Sequence, residues 1–349
     1  MQARFNFVGK VVIPRNSVRE FTTGNGLKGV NYSFGVKDAN GYVGFVSMLG
    51  FIGEGDIRTR DTSNKEIIVP YESRFDKEIV SQVASYRKTS VNLTGERKEY
   101  INTIDMIHDL YDILQPDMPI VVVGNADIRY YNGSYSMSFT PSGIYAPNEE
   151  QKSILTVSAE IYYNKDCIDG ADWKKERVVR LNGYVPQYVF ELRETKFMPY
   201  TFVFNASKID VEDKLQKEAM DYRLRNINVK TSKYQHVMWK CRYIDGAEEV
   251  AFDESMLTNA QKEQIELGLA TIDEFKPKTI FGNRKVELRL ISPVLQGDFS
   301  SGLKEADMTT EEFEANIYRP GVTREEHREV KKPEQKAKSV IEDLDDIFG

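Results

Sequence analysis

The sequence contains little cysteine and little histidine. Cys167 and Cys241 are the two cysteines in 349 residues, which is too few for a disulfide framework or a zinc finger. The three histidines, His108, His236 and His327, lie far apart along the chain and do not form a histidine-rich metal motif. We therefore expect no cofactor and no metal, and the low cysteine content favours a reducing, cytoplasmic location.

Long apolar runs and common enzyme motifs are also missing. No segment approaches 18 consecutive apolar residues, so we expect no transmembrane helix and no membrane partner. The first residues, 1–5, lack the apolar core of a signal peptide. Phosphate-binding glycine loops, H-E-x-x-H, C-x-x-C and G-x-S-x-G are all absent. These absences predict a protein that is not an enzyme, although its many carboxylates leave a two-metal nuclease site open.

The net charge of −7 is distributed unevenly. Residues 1–149 contain 16 Lys and Arg against 17 Asp and Glu, and residues 150–300 contain 23 against 24. Residues 301–349 contain 8 against 13 and are poor in apolar residues, which is typical of a flexible linker or tail. We expect an N-terminal domain over 1–149, a second domain over 150–300 and a flexible acidic tail over 301–349, with a protein-docking tip.

The first 149 residues have the pattern of a small β-barrel. Strand-forming runs cover 5–13, 30–37 and 42–49, and the second and third surround an Asn40-Gly41 turn. A helical pattern over 101–114 ends at Pro116, and a second hairpin with an Asn132-Gly133 turn follows. Three strands, a helix and two strands is the order of the OB-fold, which commonly binds oligonucleotides. Another small barrel or sandwich remains the alternative.

Residues 150–300 repeat this order less clearly. Strand patterns cover 154–163, 177–189, 200–204, 235–244 and 285–291, with an Asp245-Gly246 turn after the fourth. A helix is expected over 211–224 with Asp210 as its N-cap, and another over 257–269 with a Thr258 and Gln261 capping box. Both halves end in a strand followed by Thr-Pro or Ser-Pro. We therefore expect a mainly β protein of two tandem OB-fold-like barrels.

The last residues combine acidic and bulky apolar side chains. The segment 341–349 reads Ile-Glu-Asp-Leu-Asp-Asp-Ile-Phe-Gly and carries no basic residue. Large apolar side chains at an exposed end favour docking into a partner, with the carboxylates meeting cations there. A tail that only improves solubility is the alternative. The candidate docking residues are Asp343, Asp345, Asp346, Ile347 and Phe348.

This tip resembles the tails of bacterial and phage single-stranded DNA-binding proteins, which commonly end in Asp-Asp-Ile/Leu-Pro-Phe. Here the proline is missing and Gly349 follows Phe348, so the terminal carboxylate is not on the phenylalanine. A second resemblance is to OB-fold proteins of phage replication modules. It is carried by the stretch 95–100, the helix that follows it and the valine-rich strand 121–124. The resemblance implies a single-stranded DNA-binding protein of a replication or recombination module, in the host cytoplasm if phage-encoded. It also implies that the tail recruits replication or recombination proteins.

Proteins that bind single strands stack bases on aromatic rings and follow the phosphates with Lys and Arg. In an OB barrel the second and third strands usually form this platform. Alternation places Tyr32 and Phe34 on one strand face, where they could equally belong to the core. The candidates for DNA binding are Tyr32, Phe34, Lys37, Tyr42, Phe45, Arg97, Lys98, Arg129, Tyr131, Lys240 and Arg242.

Two other classes of function stay open at this point. A non-enzymatic virion or tail protein built from β-domains would also explain the composition and the near-neutral bodies. A nuclease or nucleotidyl enzyme with OB modules would require metal-dependent activity. The acidic apolar tip argues against the structural protein.

Overall fold

The structure is a computed structural model that describes residues 3–53, 55–249, 257–275, 281–295 and 302–321. It is mainly β. The strands are β1 (Arg4–Val12), β2 (Val18–Thr22), β3 (Lys28–Lys37), β4 (Val43–Phe51), β5 (Ile57–Arg60), β6 (Glu66–Val69), β7 (Thr89–Asn92), β8 (Lys98–Tyr100), β9 (Pro119–Tyr131), β10 (Ser134–Tyr145), β11 (Leu155–Tyr163), β12 (Ile168–Asp169), β13 (Val178–Val189), β14 (Glu194–Asn205), β15 (Gln235–Glu249), β16 (Phe281–Pro293) and β17 (Lys304–Glu305). The helices are α1 (Lys77–Gln82), α2 (Thr103–Ile113), α3 (Trp173–Glu176), α4 (Lys214–Ile227), α5 (Asn259–Glu266), α6 (Ile272–Phe275) and α7 (Thr310–Ala315).

Five strands of the first half close into a barrel, which we call the first barrel. Strand β1 pairs antiparallel with β3, β3 with β4, β9 with β10, and β9 with β1. A parallel contact between β10 and β4, at Phe139 and Val46, closes the ring. Helix α2 lies between the third and fourth barrel strands in sequence. This order and the parallel closure give the first half the expected OB-like topology.

The second half repeats the same connections and forms the second barrel. Strand β11 pairs with β13 and β15, β13 with β14, and β15 with β16, all antiparallel. A parallel pairing of β14 with β16, at Phe202 and Leu288, closes this ring, and α4 lies between its third and fourth strands. The prediction of two tandem OB-fold-like barrels is confirmed by these pairings. The exact domain limits at 149 and 300 stay a prediction.

A continuous sheet joins the two barrels. The first residues of β1 pair antiparallel with β11, with Arg4 opposite Ser158 and Phe7 opposite Leu155. The inward rings meet across this junction, since Phe7 and Tyr243 stack with their centroids 5.8 Å apart. Buried residues of both barrels therefore form one contiguous hydrophobic cluster. The backbone pairing and this shared core hold the halves together.

Local signals placed several elements correctly. Gly41 has a φ of 83° in the turn between β3 and β4, and Asn132 and Gly133 have φ of 48° and 83° between β9 and β10. Two consecutive positive φ values are those of a type I′ hairpin turn, which Asn-Gly favours. The capping box of Thr258 and Gln261 is present at the start of α5.

Three sequence predictions of element ends are wrong. Helix α4 begins after Asp213, whose side chain caps it, rather than after Asp210. Strand β15 continues through Gly246, which pairs with Lys285, because the long partner β16 supplies hydrogen bonds where a turn was expected. Strand β10 continues beyond Pro141, because a bulge between Pro141 and Gly143 absorbs the proline without ending the pairing.

The start of the predicted tail also needs correction. Within 301–349 the described residues 302–321 fold onto the second barrel, where β17 pairs with β15. On α7 the buried ring of Phe313 stacks between Tyr234 and Phe197, with centroids 3.8 Å and 4.0 Å away. This apolar anchor explains why the segment docks despite its acidic composition. Residues 322–349, including the tip, lie outside the described residues.

Among the described residues, no helix is long and apolar enough to cross a membrane.

Candidate nucleic-acid interface

The outward side of β3 and β4 forms an exposed surface, which we call the first outer face. The inward residues of β4 are buried, whereas Phe45, Leu49 and Phe51 on the alternate positions are 43%, 51% and 45% exposed. On β3 the matching outward positions include Gly35 and Lys37. Half-exposed apolar side chains side by side on one sheet are unusual for a surface that meets only water.

Glycines create room for the rings on this face. Gly35 lies opposite Phe45, and a Cβ at Gly35 would come within 2.7 Å of Val43 and 3.2 Å of the Phe45 ring. At Gly29 a Cβ would come within 2.3 Å of the Phe21 ring. A larger residue at Gly29 would therefore displace the Phe21 ring, and one at Gly35 would clash with Val43 and press against the edge of the Phe45 ring.

The β9–β10 hairpin extends the first outer face. Arg129 and Tyr131 occupy alternate, exposed positions near its tip, and Tyr131 is 73% exposed. The hairpin is held from the second barrel, because the amide of Gln187 accepts from the backbone N–H of Ile128 at 2.7 Å and donates to its carbonyl at 3.1 Å. The second barrel thus fixes the position of a hairpin that carries a cation and an exposed ring.

Two adjoining clefts run beside these residues. One has a volume of about 290 Å³ and lies between β4 and β10, lined by Ser47, Leu49, Arg129 and Thr140 among others. The other, of about 360 Å³, is more apolar and includes Phe51. Leu49 lines both. Together the two clefts provide apolar walls, hydroxyls and one guanidinium.

The cations of this face are not neutralised by neighbouring acids. Lys10 and Lys37 are exposed and directly opposite each other on β1 and β3, an arrangement that disfavours folding through repulsion. Among the described residues neither they nor Arg129 has an ion-pair partner. The adjacent Asp38 is already engaged, since Arg242 contacts it at 2.8 Å. A positively charged edge therefore borders the aromatic surface.

Several aromatic candidates prove to be core residues. Tyr32 and Phe34 are 1% and 0% exposed, and Tyr42 is 6% exposed. Burial, followed by the nearby Tyr111, raises the pKa of Tyr32 to about 12. The proposal that Tyr32, Phe34 and Tyr42 stack on bases is wrong for this structure. Tyr32 and Phe34 lie in the core of the first barrel, and the Tyr42 ring is covered by Arg242 of the second barrel.

Arg97 and Lys98 are not free cations either. Arg97 forms an ion pair with Glu99 at 2.7 Å, and Lys98 contacts Asp109 of α2 at 3.1 Å. Both lie on or beside the short strand β8, which is not part of the first outer face. Because each already has a carboxylate nearby, Lys37 and Arg129 are the stronger candidates for phosphate contacts, and the role of Arg97 and Lys98 stays a prediction.

Lys240 and Arg242 alternate with the buried Trp239, Cys241 and Tyr243, as expected. Lys240 is exposed and is free of ion pairs among the described residues. Arg242 instead joins the barrels, because it pairs with the buried Asp38 and lies over the Tyr42 ring at 5.1 Å. Of the original candidates, Lys37 and Phe45 lie on the first outer face and Arg129 lines the cleft beside it, whereas Tyr131 is exposed at the tip of the β9–β10 hairpin.

Sequence reasoning overlooked Phe21, Leu49 and Phe51. Phe21 lies on β2, a strand that was not predicted, and its ring meets the Phe51 ring edge-on with centroids 5.8 Å apart. Leu49 and Phe51 share the alternation of Phe45, so the phase of β4 would have identified them.

Two further expectations meet the limits of the described chain. Within the described ranges there is no cluster of three His, Cys, Asp or Glu side chains arranged to hold a metal ion. The proposed docking residues Asp343, Asp345, Asp346, Ile347 and Phe348 all lie outside those ranges.

Comparisons with known proteins give distant matches. No family model matches the chain, and no curated protein matches it. Among solved structures, the wild-type single-stranded DNA-binding protein of Thermus aquaticus aligns with 11% identity and a TM-score of 0.28. The alignment covers 70% of this chain and 85% of that one. A deletion mutant of that protein aligns with 14% identity and the same TM-score, over 70% of this chain and 87% of the other. A TM-score of 0.28 does not establish a common overall fold, so the assignment of the barrels rests on their strand pairing.

Proposed function

We propose that this protein binds single-stranded DNA and catalyses no reaction. The observation that carries the proposal is the first outer face, where Phe45, Leu49 and Phe51 are half-exposed along β4 and Lys10 and Lys37 lie at the end nearest Phe45. Exposed aromatic rings stack on bases of any sequence, and ammonium groups without an ion-pair partner bind phosphates. The same combination is poorly suited to duplex DNA, whose bases are stacked on one another and hide their faces.

The magnitudes favour a useful affinity. Each base stacked on an aromatic side chain contributes roughly 1–3 kcal/mol. Two rings, Phe45 and Phe51, and three cations, Lys10, Lys37 and Arg129, are exposed on or beside the first outer face. Two stacked bases alone would supply about 2–6 kcal/mol, and each neutralised phosphate adds a salt-dependent contribution.

A titration of oligo-dT against the purified chain at two salt concentrations tests this function. We expect tighter binding to oligo-dT than to a duplex of equal length. Affinity should fall as salt rises, with a slope of about −0.7 in log–log form for each phosphate contacted. Equal affinity for single strands and duplex, or no binding at low salt, would contradict the proposal. Self-assembly without DNA binding would favour a structural virion protein instead.

We further propose that the protein belongs to a phage replication or recombination module and acts through two domains, 1–149 and 150–300. The support lies in the sequence of the acidic tip, with Ile347 and Phe348 following Asp345 and Asp346. Deleting 342–349 should leave ssDNA affinity unchanged or raise it while abolishing capture of replication or recombination proteins. Unchanged capture by the shortened chain would refute this role of the tip.

A further inference from the structure

The second barrel has a surface topologically equivalent to the first outer face. Its second and third strands, β13 and β14, correspond to β3 and β4 of the first barrel. Leu181 pairs with Phe202 on the inward side, where both are 0% exposed, so Arg180 and its partner Val203 point outward. We call the outward side of β13, β14 and β16 the second outer face.

A polar groove of about 490 Å³ lies on the second outer face. Its wall includes four cations, Lys175, Arg177, Arg180 and Lys285, against two carboxylates, Glu176 and Glu287. No aromatic side chain lines this groove, whereas rings are exposed on the equivalent face of the first barrel. The groove therefore offers charge rather than rings, although tyrosines such as Tyr184 and Tyr188 lie farther along β13.

Ion pairs around the groove leave two of these cations uncompensated. Glu287 accepts from Arg289 at 2.5 Å, and Glu176 lies 3.8 Å from Lys175. Arg180 is paired with Asp172. Both carboxylates of the groove thus face a cation. Within the described part of the chain, Arg177 and Lys285 have no ion-pair partner.

The backbone at Arg177 determines how its side chain can be tested. This residue follows α3 with a φ of 53° and a ψ of 42°, in the left-handed region in which many helices end and which glycine adopts at little cost. A side chain with a Cβ costs roughly 1–2 kcal/mol there. The guanidinium at the groove can therefore be removed by a change to glycine that the backbone favours.

We propose that the groove of the second outer face binds phosphates of the DNA strand through Arg177 and Lys285, without stacking any base. This inference rests on the proposed function. It assigns the base contacts and the phosphate contacts of the DNA to different surfaces. The first outer face holds bases and the groove beside Arg177 holds the phosphate backbone. Because the second site reads charge alone, its contribution is independent of base identity and disappears at high salt.

The left-handed backbone allows an unusually clean test. Arg177→Gly removes the guanidinium and relieves the strained φ, so a loss of affinity cannot be attributed to misfolding. Arg193 is a matched control, because it too is exposed, has a φ of 53° and lies outside the groove in the β13–β14 turn. We would compare Arg177→Gly, Arg177→Gly with Lys285→Gln, and Arg193→Gly with the unchanged protein.

The readout is the slope of log affinity for oligo-dT against log salt. Loss of two phosphate contacts should make the slope shallower by about 1.4. Between 50 and 200 mM salt the affinity of the double variant should therefore fall about sevenfold less than that of the unchanged protein. Arg177→Gly should show about half this change in slope, and Arg193→Gly none.

Each other result contradicts the inference. Weaker binding with an unchanged slope would show that the lost contacts are not to phosphates. Equal effects of Arg177→Gly and Arg193→Gly would indicate a general effect of net charge. Loss of duplex affinity alone would make duplex phosphates the ligand. If the unchanged protein failed to bind oligo-dT at all, the proposed function itself would fail, which is a separate and recognisable outcome.

Discussion

Replacing Phe45 with alanine tests the stacking role of the first outer face most directly. The ring is 43% exposed and lies over Gly35, so the substitution removes an aromatic surface without opening the barrel core. The cost in stability should be well below the roughly 3–5 kcal/mol of a buried Phe→Ala change. Folding should therefore survive, and any loss of binding can be assigned to the ring.

The expected loss follows from the energy of one stacked base. At roughly 1–3 kcal/mol per base, ssDNA affinity should fall about 5-fold to 150-fold. The salt slope should not change, because the ring contacts no phosphate. This combination, weaker binding with the same slope, distinguishes a base contact from the phosphate contacts proposed for Arg177.

Fluorescence anisotropy with labelled oligo-dT at three salt concentrations would measure both quantities. Phe190→Ala is a matched control, because Phe190 is 77% exposed and lies in the β13–β14 turn of the second barrel. If Phe45→Ala and Phe190→Ala bound within twofold of each other, the first outer face would not be a stacking surface.

Three further outcomes are expected. Arg129→Ala should weaken ssDNA binding and make its salt slope shallower, whereas Lys98→Ala should leave both unchanged; equal effects in the same titration would contradict our assignment of the two cations. Phe313→Ala should lower the free energy of unfolding by roughly 3–5 kcal/mol in a denaturant titration while ssDNA affinity is retained, and a smaller cost would mean that α7 is not anchored by this ring. Burial alone would raise the pKa of the Asp109 carboxyl, but hydrogen bonds from Tyr100 and Lys98 outweigh it and lower that pKa. The stability that the Asp109 carboxylate contributes is present above its unfolded pKa of about 4 and is lost as pH falls through the folded pKa. The unchanged protein should therefore melt at a higher temperature than Asp109→Asn at neutral pH, and this difference should shrink in acid. A difference that grew in acid would show that folding does not lower the pKa of Asp109.

The junction between the barrels bears on how the two outer faces cooperate. The junction is crossed by the pairing of β1 with β11, by the Arg242–Asp38 ion pair and by the hydrogen bonds between Gln187 and the backbone of Ile128. Such contacts disfavour independent motion of the halves. A single DNA strand bound by both barrels would therefore meet the first outer face and the groove beside Arg177 at a fixed separation. This fixed separation reduces the entropy lost when the DNA fills the second of the two sites.

The sequence by itself determined the local elements of this protein. Asn-Gly pairs specified the hairpin turns at 40–41 and 132–133, because only residues tolerant of positive φ fit there. Period-two alternation identified β15 and its basic row, and the Thr258 and Gln261 pair identified the start of α5. These signals depend on neighbours within a few residues, so they can be read directly from the chain. The strand and helix order was enough to predict two OB-fold-like barrels.

Only the tertiary structure decided which faces are available to a ligand. Alternation separates two sides of a strand but does not say which side is buried, so Tyr32 and Phe34 were as plausible as Phe45 until the barrel closed. Lys98 pairs with Asp109, 11 residues away, and Arg242 pairs with Asp38, 204 residues away. No local sequence pattern predicts either ion pair. The groove beside Arg177 likewise exists only because β14 and β16 pair in parallel from distant parts of the chain. Burial and charge compensation are set by contacts between such distant segments, and they decide which side chains remain exposed and unpaired for the proposed ligand.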